Sequence, residues 1–137
     1  MLARTDIDAI SVCTPNFLHA PMTITAFEAG KHVICEKPLA MTPAEGEAMV
    51  AASQKAGKLF MTAFNNRFRG DTQVLKGFIE RGELGEIYYA KTGWLRRRGI
   101  PGMGGWFTTK SKSGGGPLID LGVHVLDLAL WLMGNPK

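Results

Sequence analysis

Three short polar segments of the sequence carry side chains suited to ligand binding, and each comes just after an apolar run. They are Thr14-Pro15-Asn16, Glu36-Lys37-Pro38 and Asn65-Asn66-Arg67. In an open parallel sheet, ligands bind outside the carboxyl ends of the strands, so segments that follow buried strands are candidates to line one site. Proline and asparagine are also common in surface turns for local reasons, and that alternative stays open for each segment.

Lys37 is the side chain in these segments best suited to proton transfer. It lies on the expected lip of a parallel sheet, where a cis peptide bond before Pro38 would aim it at a bound ligand. An ordinary solvated lysine is the alternative interpretation.

Three titratable residues interrupt an apolar segment near the end of the sequence. Asp120, His124 and Asp127 are spaced i, i+4 and i+7, which predicts one shared face of an α-helix. A buried carboxylate or imidazole costs several kcal/mol unless it is paired, so this stripe predicts a cavity or a hydrogen-bonded network. We interpret His124 as an acid/base group oriented by a carboxylate, with a satisfied core histidine as the alternative. No third clear ligand accompanies Asp120 and His124, so no metal site is predicted.

An arginine run lies between two tryptophans. Arg96, Arg97 and Arg98 follow Trp94 and precede Trp106, a pattern that suits an anionic or sugar ligand held by bidentate hydrogen bonds and stacking. Three consecutive arginines cannot all face one way on a strand, so a solvated edge with one or two binding arginines is the plainer interpretation. Trp106 and its neighbour Phe107 either pack locally or form a platform for a sugar ring.

The composition is that of an ordinary globular protein. Of the 137 residues, 45% are hydrophobic and 20% are charged. The net charge is a modest +4, and the basic residues are scattered apart from the arginine run, so we expect no nucleic-acid partner. The longest apolar segment, residues 118–133, is broken by the three titratable residues described above, so we expect no membrane span.

The cysteines and the first residues indicate the compartment. Cys13 and Cys35 each end a short apolar run, where a small buried thiol is expected, and neither belongs to a Cys-x-x-Cys pair. No apolar signal-peptide core follows Met1. We therefore expect a soluble protein in the reducing cytoplasm.

The first half of the sequence alternates strand and helix patterns in the order β-α-β-α-β, which is typical of a parallel sheet with crossover helices. The expected strands are residues 9–13, 33–35 and 59–64, and the expected helices run from Pro21 to Gly30 and from Thr42 to Ala56. The second helix is the most clearly marked, because Thr42-Pro43-Ala44-Glu45 is a capping box with proline at the first helical position. The predicted fold class is therefore α/β.

The pattern changes near residue 70, which predicts a second domain. A helix bearing Val74, Leu75, Phe78 and Ile79 on one face should end at Gly82, and residues 86–96 read as a long strand. Residues 99–116 form a glycine-rich loop of the length that is often functional. A last helix, residues 117–133, is apolar on nearly every side and is expected to be buried.

Together these motifs resemble the glucose-fructose oxidoreductase and inositol dehydrogenase family (Gfo/Idh/MocA) over essentially the whole chain. Cys13-Thr14-Pro15-Asn16 with His19 resembles the family's fourth Rossmann strand and the turn that approaches the nicotinamide. Glu36-Lys37-Pro38 matches the family's Glu-Lys-Pro signature, and residues 65–68 resemble the segment that closes the nucleotide domain. Residues 114–124 resemble the family's helix with the Asp-x-Gly-x-His motif.

The resemblance implies a fold and a domain organisation. Residues 1–69 would be the C-terminal half of a Rossmann-type parallel sheet in a dinucleotide-binding domain, and residues 70–137 the start of an α+β substrate and oligomerisation domain. No G-x-G-x-x-G occurs in the sequence, and the opening βαβ unit with the acidic residue that selects NAD or NADP is also absent. We therefore expect this chain alone to bind the cofactor weakly, and the choice between NAD and NADP stays open.

The resemblance also implies an activity and a site. The family's chemistry is hydride transfer between NAD or NADP and a secondary alcohol of a sugar, cyclitol or polyol, in enzymes expected to form dimers or tetramers. Lys37, Asp120 and His124 would be catalytic. The implied cofactor-binding residues are Thr14, Pro15, Asn16, His19, Glu36, Lys37, Pro38, Asn65 and Arg67, and the implied substrate-binding residues are Lys37, Arg96, Trp106, Asp120 and His124. The alternatives are an NAD-dependent glycoside hydrolase of the same superfamily and a non-catalytic ligand-binding module, the latter favoured by the missing phosphate loop.

Overall fold

The computed structural model describes residues 1–98, 103–134 and 136. Its strands are β1 (Ala9–Val12), β2 (His32–Cys35) and β3 (Phe60–Thr62), and its helices are α1 (His19–Glu28), α2 (Pro43–Ala56), α3 (Gly70–Glu80), α4 (Lys110–Ser113) and α5 (Val123–Leu132). Short 3-10 turns cover Asn16–Leu18, Asn65–Phe68 and Trp106–Thr108, and a π-helical turn, Leu118–Gly122, comes directly before α5.

The three strands form one parallel sheet in the order β1-β2-β3. Ala9 lies opposite His32 and Val33 opposite Phe60, so the carboxyl ends of all three strands meet at one edge. Parallel neighbours require crossover connections, which α1 and α2 provide. The predicted α/β class and the β-α-β-α-β order are confirmed.

The core lies between one face of the sheet and the two crossover helices. Val33 and Cys35 on β2 are buried with Phe27 and Met49, whereas Ile34 between them is 45% exposed. The strands are therefore packed on one face, and the coverage of both faces expected from the apolar runs is not seen in the described residues. Cys13 is also exposed, so the expected buried thiol is found only at Cys35, where burial raises the pKa to about 11.

Local chemistry sets the helix ends. The Thr42 hydroxyl accepts a hydrogen bond from the Glu45 amide at 3.3 Å, and the Glu45 carboxylate accepts one from the Thr42 amide at 3.1 Å, which completes the predicted capping box. Gly57 closes α2 with a φ of +61°. Helix α1 begins at His19 rather than Pro21, because the 3-10 turn before it leads straight into the helix.

The second half departs from the predicted elements. Residues 86–96, all of which the structure describes, form neither a helix nor a strand, because a strand exists only where its backbone pairs and none of the three described strands pairs with them. The predicted loop contains the Trp106–Thr108 turn and α4, while residues 99–102 lie outside the described residues. The last predicted helix is divided between the π-helical turn and α5, and it is not buried on every side, since Leu126 is 51% exposed.

The described residues group into two compact units. The first comprises residues 1–63 and 103–120, with the whole sheet, and the second comprises residues 64–98 and 121–134, with α3 and α5. The division into domains at residues 69 and 70 stays a prediction.

One helical run, Lys110–Leu132, is long and apolar enough to cross a membrane by length and composition alone, with a mean hydropathy of 1.3. Core helices of globular proteins meet the same criterion. Asp120 and Asp127 within this run both form ion pairs with other parts of the chain.

Candidate functional site

Lys37 lies at the carboxyl edge of the sheet, two residues beyond the end of β2. The amide of Glu36 still bonds to the Val12 carbonyl at 2.9 Å, so the parallel ladder continues to the residue before Lys37. The Lys37-Pro38 peptide bond is cis, as the sequence predicts, and the Glu36 carboxylate accepts a hydrogen bond from the Lys37 amide at 3.2 Å. The base of the lysine side chain is therefore fixed by backbone contacts.

The Lys37 amine is paired with Asp120. Its Nζ atom lies 2.8 Å from Asp120 Oδ1 and 2.6 Å from the Asp120 carbonyl oxygen, and both atoms accept hydrogen bonds from it. The two side chains are 15% and 27% exposed, so the pair is shielded but still open to a small molecule. A charge-assisted pair of this kind presents a directed donor to a ligand oxygen. Two residues 83 positions apart in sequence, both predicted to be catalytic, are thus brought together.

Asn16 and Gly114 hold the segment that delivers Asp120. The buried Asn16 side chain donates from Nδ2 to the Ser113 carbonyl at 2.8 Å. Gly114 then adopts a φ of +84°, and a Cβ atom there would lie 3.0 Å from the side chain of Met41, in the loop after Pro38. Both features require these residue types, because Asn16 supplies an amide donor and only glycine tolerates this conformation at such close approach. The sequence predicts Asn16 as a cofactor-binding residue, and it indicates no individual role for Gly114.

His19 lies fully buried behind the same edge of the sheet, with none of its surface exposed. Its Nδ1 atom is 2.7 Å from the Pro38 carbonyl oxygen, and its Nε2 atom is 3.0 Å from the Thr14 carbonyl oxygen. A bound cofactor therefore meets His19 only through the two loops that its ring joins.

The first segment also offers a buried polar atom for a ligand. The Thr14 hydroxyl is enclosed and has no hydrogen-bond partner among the residues that the structure describes. An unsatisfied buried hydroxyl costs free energy unless a ligand or water meets it. Pro15 beside it is half-buried and Pro38 across the edge is buried, so both can form walls for a flat ring.

Arg67 and Asp127 form a separate ion pair in the second unit. Arg67 Nε donates to Asp127 Oδ2 at 2.8 Å, a terminal guanidinium nitrogen donates to Oδ1, and the hydrogen bonds raise the pKa of Arg67. Asp127 is 8% exposed. Arg67, predicted to bind the cofactor, is thus committed to a carboxylate, while the predicted cofactor residue Asn65 is exposed at the start of the same turn.

The common face of Asp120, His124 and Asp127 stays a prediction, but its two carboxylates do not share one partner. Asp120 pairs with Lys37 and Asp127 pairs with Arg67, so the two carboxylates serve different partners. The spacing argument assumed one continuous α-helix, whereas Leu118–Gly122 is a π-helical turn, whose i to i+5 bonds change the angle between successive side chains.

His124 lies beside Trp94. The ring centroids are 5.5 Å apart with planes inclined at 48°, and the Arg96 guanidinium lies 5.1 Å from the Trp94 ring centre. Trp94 was missed as a site residue because the sequence shows it only as a flank of the arginine run.

Trp106, which the sequence predicts to bind substrate, stacks on Phe107 with ring centroids 3.7 Å apart. This contact favours the alternative in which the two rings pack locally.

A groove of about 420 Å³ borders Trp94 in the second unit. Its walls combine polar and apolar side chains, namely Asn66, Arg69, Asp71, Thr72, Trp94, Leu95, Val125 and Leu128. An aromatic wall with convergent polar groups is typical of sites for small polyhydroxy ligands.

Comparison with known proteins gives similar named relatives over nearly the whole chain. D-glucoside 3-dehydrogenase of Escherichia coli (strain K12) is 48% identical over 136 residues, which is 99% of this chain and 38% of the relative. Levoglucosan dehydrogenase of Pseudarthrobacter phenanthrenivorans is 40% identical over 132 residues, 95% of this chain and 34% of the relative. The chain thus spans less than two-fifths of the length of these relatives.

Solved structures agree with the sequence relatives. The aldose-aldose oxidoreductase of Caulobacter crescentus, complexed with glycerol, superposes with a TM-score of 0.85 at 35% identity, covering 97% of this chain and 39% of that one. A levoglucosan dehydrogenase complexed with NADH and levoglucosan gives a TM-score of 0.79 at 37% identity, with 97% and 36% coverage.

Two family models match the chain in succession, and their join falls where the described contacts also pass from one unit to the other. Residues 1–64 match the oxidoreductase family with an NAD-binding Rossmann fold, and residues 72–137 match the GFO/IDH/MocA C-terminal domain. Together the two models cover nearly the whole chain, which therefore belongs to the Gfo/Idh/MocA oxidoreductase family.

Proposed function

We propose that the complete protein containing these residues is an NAD(P)-dependent dehydrogenase that reversibly oxidises a secondary alcohol of a sugar, cyclitol or polyol. The observation that carries the proposal is the Lys37 and Asp120 ion pair at the carboxyl edge of the parallel sheet, where such folds bind their ligands. The dehydrogenase names of the similar proteins support the same class of reaction.

Each residue has a distinct task in this proposal. When bound, the nicotinamide supplies the redox chemistry by exchanging a hydride with the substrate carbon. Lys37, as the ammonium group paired with Asp120, donates a hydrogen bond to the reacting oxygen from Nζ. His124 takes the hydroxyl proton during oxidation and returns it during reduction. Asp120 keeps Nζ directed and accepts a hydrogen bond from a neighbouring substrate hydroxyl.

The remaining residues of the first unit would shape the nicotinamide pocket. Thr14 would offer its buried hydroxyl to the carboxamide, with Pro15 and Pro38 as walls. Asn16 and Glu36 would act through the backbone segments that they hold, at Ser113 and Lys37 respectively. That His124 faces the same cleft as Lys37, within about 10 Å, stays a prediction, based on the need for one small substrate to reach both groups.

The groove beside Trp94 favours a sugar among the candidate alcohols. Trp94 offers an aromatic face beside His124, and Arg69 and Asp71 in the groove wall offer donors and acceptors for hydroxyl groups. Arg96, over the Trp94 ring, would add a cationic hydrogen-bond donor at the same place.

A substitution of Lys37 tests the mechanism. Lys37→Met in the complete natural polypeptide should lower kcat by about 100-fold or more, the scale of losing a charged hydrogen-bond donor to the reacting oxygen, without unfolding the protein. Lys55→Met, at an exposed lysine, is the matched control and should keep kcat near the parent value. Formation of reduced NAD or NADP is followed over a panel of sugars, cyclitols and polyols. No substrate-dependent reduction of either cofactor would refute the dehydrogenase, and glycoside cleavage without net NADH would support the hydrolase instead.

We also propose that the protein works in the cytoplasm as a homo-oligomer, either a dimer or a tetramer. Free thiols at Cys13 and Cys35 suit a reducing compartment. Side chains such as Tyr88, at 90% exposure, and Leu95, at 100%, leave apolar surface that further chain or a second copy would cover. Light scattering on the complete polypeptide measures the oligomer directly.

A further inference from the structure

His19 joins the two loops that carry the proposed cofactor and catalytic groups. The ring is entirely buried, and each nitrogen lies at hydrogen-bond distance from a backbone carbonyl of a different loop. One loop follows β1 and contains Thr14, and the other follows β2 and contains Lys37. Both carbonyls can only accept, so a buried imidazole that carries a proton on each nitrogen donates to both loops and fixes them relative to each other.

The Nδ1 contact acts on the lysine. The Pro38 carbonyl that it meets at 2.7 Å belongs to the residue directly after Lys37. A lysine side chain has several rotatable bonds, so Nζ reaches Asp120 reliably only if the backbone at Lys37 is held in place. The Nε2 contact acts on the other loop, because the Thr14 carbonyl at 3.0 Å belongs to the residue whose hydroxyl is buried without a described partner.

We infer that His19 is a positioning residue with two separable effects, in which Nδ1 sets Lys37 for turnover and Nε2 sets the Thr14 loop for the cofactor. The inference rests on the proposed function and goes beyond it, since His19 itself touches neither substrate nor cofactor. It predicts that the two ring nitrogens can be tested one at a time.

Asparagine and glutamine separate the two contacts. The amide nitrogen of asparagine lies one bond beyond Cγ, as Nδ1 does, so His19→Asn keeps a donor toward the Pro38 carbonyl and loses the contact with Thr14. The amide nitrogen of glutamine lies two bonds beyond Cγ, as Nε2 does, so His19→Gln keeps the donor toward Thr14 and loses the contact with Pro38. The variants therefore form a matched pair at one buried position.

In the complete natural polypeptide, the two variants should change different kinetic parameters. His19→Gln should lower kcat by about 10- to 100-fold, the scale of a misplacement of about 1 Å at a reacting group, with the cofactor KM within about threefold of the parent. His19→Asn should raise the cofactor KM by about tenfold and retain most of kcat. His32→Gln is the control, because His32 bonds to the Leu59 amide at the opposite end of β2 and its loss should change neither parameter.

A labelling measurement reads the position of Lys37 without turnover. An amine-reactive acylating reagent, with the modified lysines mapped by mass spectrometry, should label Lys37 at least about fivefold faster in His19→Gln than in the parent, because Nζ is then released from Asp120. In His19→Asn, Lys37 should be labelled at the parent rate, and exposed Lys55 serves as the internal reference in every sample. Equal kcat, KM and labelling effects in the two variants, or parent values in both, would overturn the inference. If the parent itself turned over no alcohol, the proposed function would fail, and the labelling rates would still decide whether His19 positions Lys37.

Discussion

Removing Arg67 from its ion pair with Asp127 should destabilise the protein more than removing Asp127. Asp127 is 8% exposed, whereas the Arg67 side chain is 35% exposed and lies over the rings of Phe64 and Trp131. Removing the arginine leaves an unpaired carboxylate inside the protein. Removing the carboxylate leaves a guanidinium that water can still reach.

The expected magnitudes follow from these exposures. Arg67→Met keeps the apolar stem against Trp131 and isolates the charge effect, so the free energy of unfolding should fall by about 3–5 kcal/mol, as for breaking a buried pair. Asp127→Asn keeps one acceptor for Arg67 and should cost about 1–2 kcal/mol. The double variant Arg67→Met with Asp127→Leu should be more stable than Arg67→Met alone, because no buried charge is left unpaired.

Denaturant unfolding of the complete polypeptide, followed by far-UV circular dichroism at neutral pH, measures all three differences. The near-neutral control is Arg69→Met, since the pair of Arg69 with Asp71 is exposed on both sides. Equal losses from Arg67→Met and Asp127→Asn, or losses below about 1 kcal/mol in both, would show that burial of Asp127 does not set the energetics. A double variant that is less stable than either single variant would refute the argument from the unpaired charge.

Three further predictions concern Cys35 and Gly114 in the first unit. Because burial raises the pKa of Cys35 to about 11, its thiol should resist iodoacetamide at pH 8 while exposed Cys13 reacts, as peptide mass spectrometry would show. The same raised pKa predicts a contribution to stability that is complete below the unfolded thiol pKa of about 8.5 and is lost as the pH rises toward 11. Gly114→Ala should cost about 1–3 kcal/mol, because of its φ of +84° and the approach to Met41, whereas Gly116→Ala, with open space around it, should stay within about 0.5 kcal/mol. A comparable loss at both glycines would show that close approach is not the cause.

The sheet and its crossover helices could be predicted from sequence because their signals are local. The capping box at Thr42 acts within one helical turn, and a short apolar run followed by Glu36-Lys37-Pro38 is enough to place Lys37 at a strand end. Parallel topology then brings the strand ends to one edge without further information. The family resemblance implies catalytic roles for Lys37 and Asp120, but their direct contacts at 2.6 and 2.8 Å were not predicted.

The features that escaped prediction depend on distant partners or on irregular geometry. Residues 86–96 alternate in a way that suits a strand, but the alternation does not specify a pairing partner. The family resemblance implied that His19 contacts the cofactor, and only the fold shows that each nitrogen of its ring meets a backbone carbonyl. The π-helical turn before α5 has no simple sequence signature, so Asp120 and Asp127 were placed on one face when each serves a different cation.

The Arg67–Asp127 and Lys37–Asp120 pairs use different cations, and the chemistry of each cation suits a different role. Arg67 presents a planar fork that meets both oxygens of the buried Asp127, and its guanidinium does not release a proton near neutral pH, so it suits a contact that must stay closed. Lys37 presents a compact ammonium group that meets one carboxylate oxygen and one backbone carbonyl, which leaves the second Asp120 oxygen free of Lys37. An ammonium group can turn toward a ligand oxygen without giving up all its hydrogen bonds, because it has three donors. The same apolar segment of sequence therefore carries one carboxylate for a structural pair and one for the pair that we propose acts on the substrate, and the cation opposite each distinguishes them.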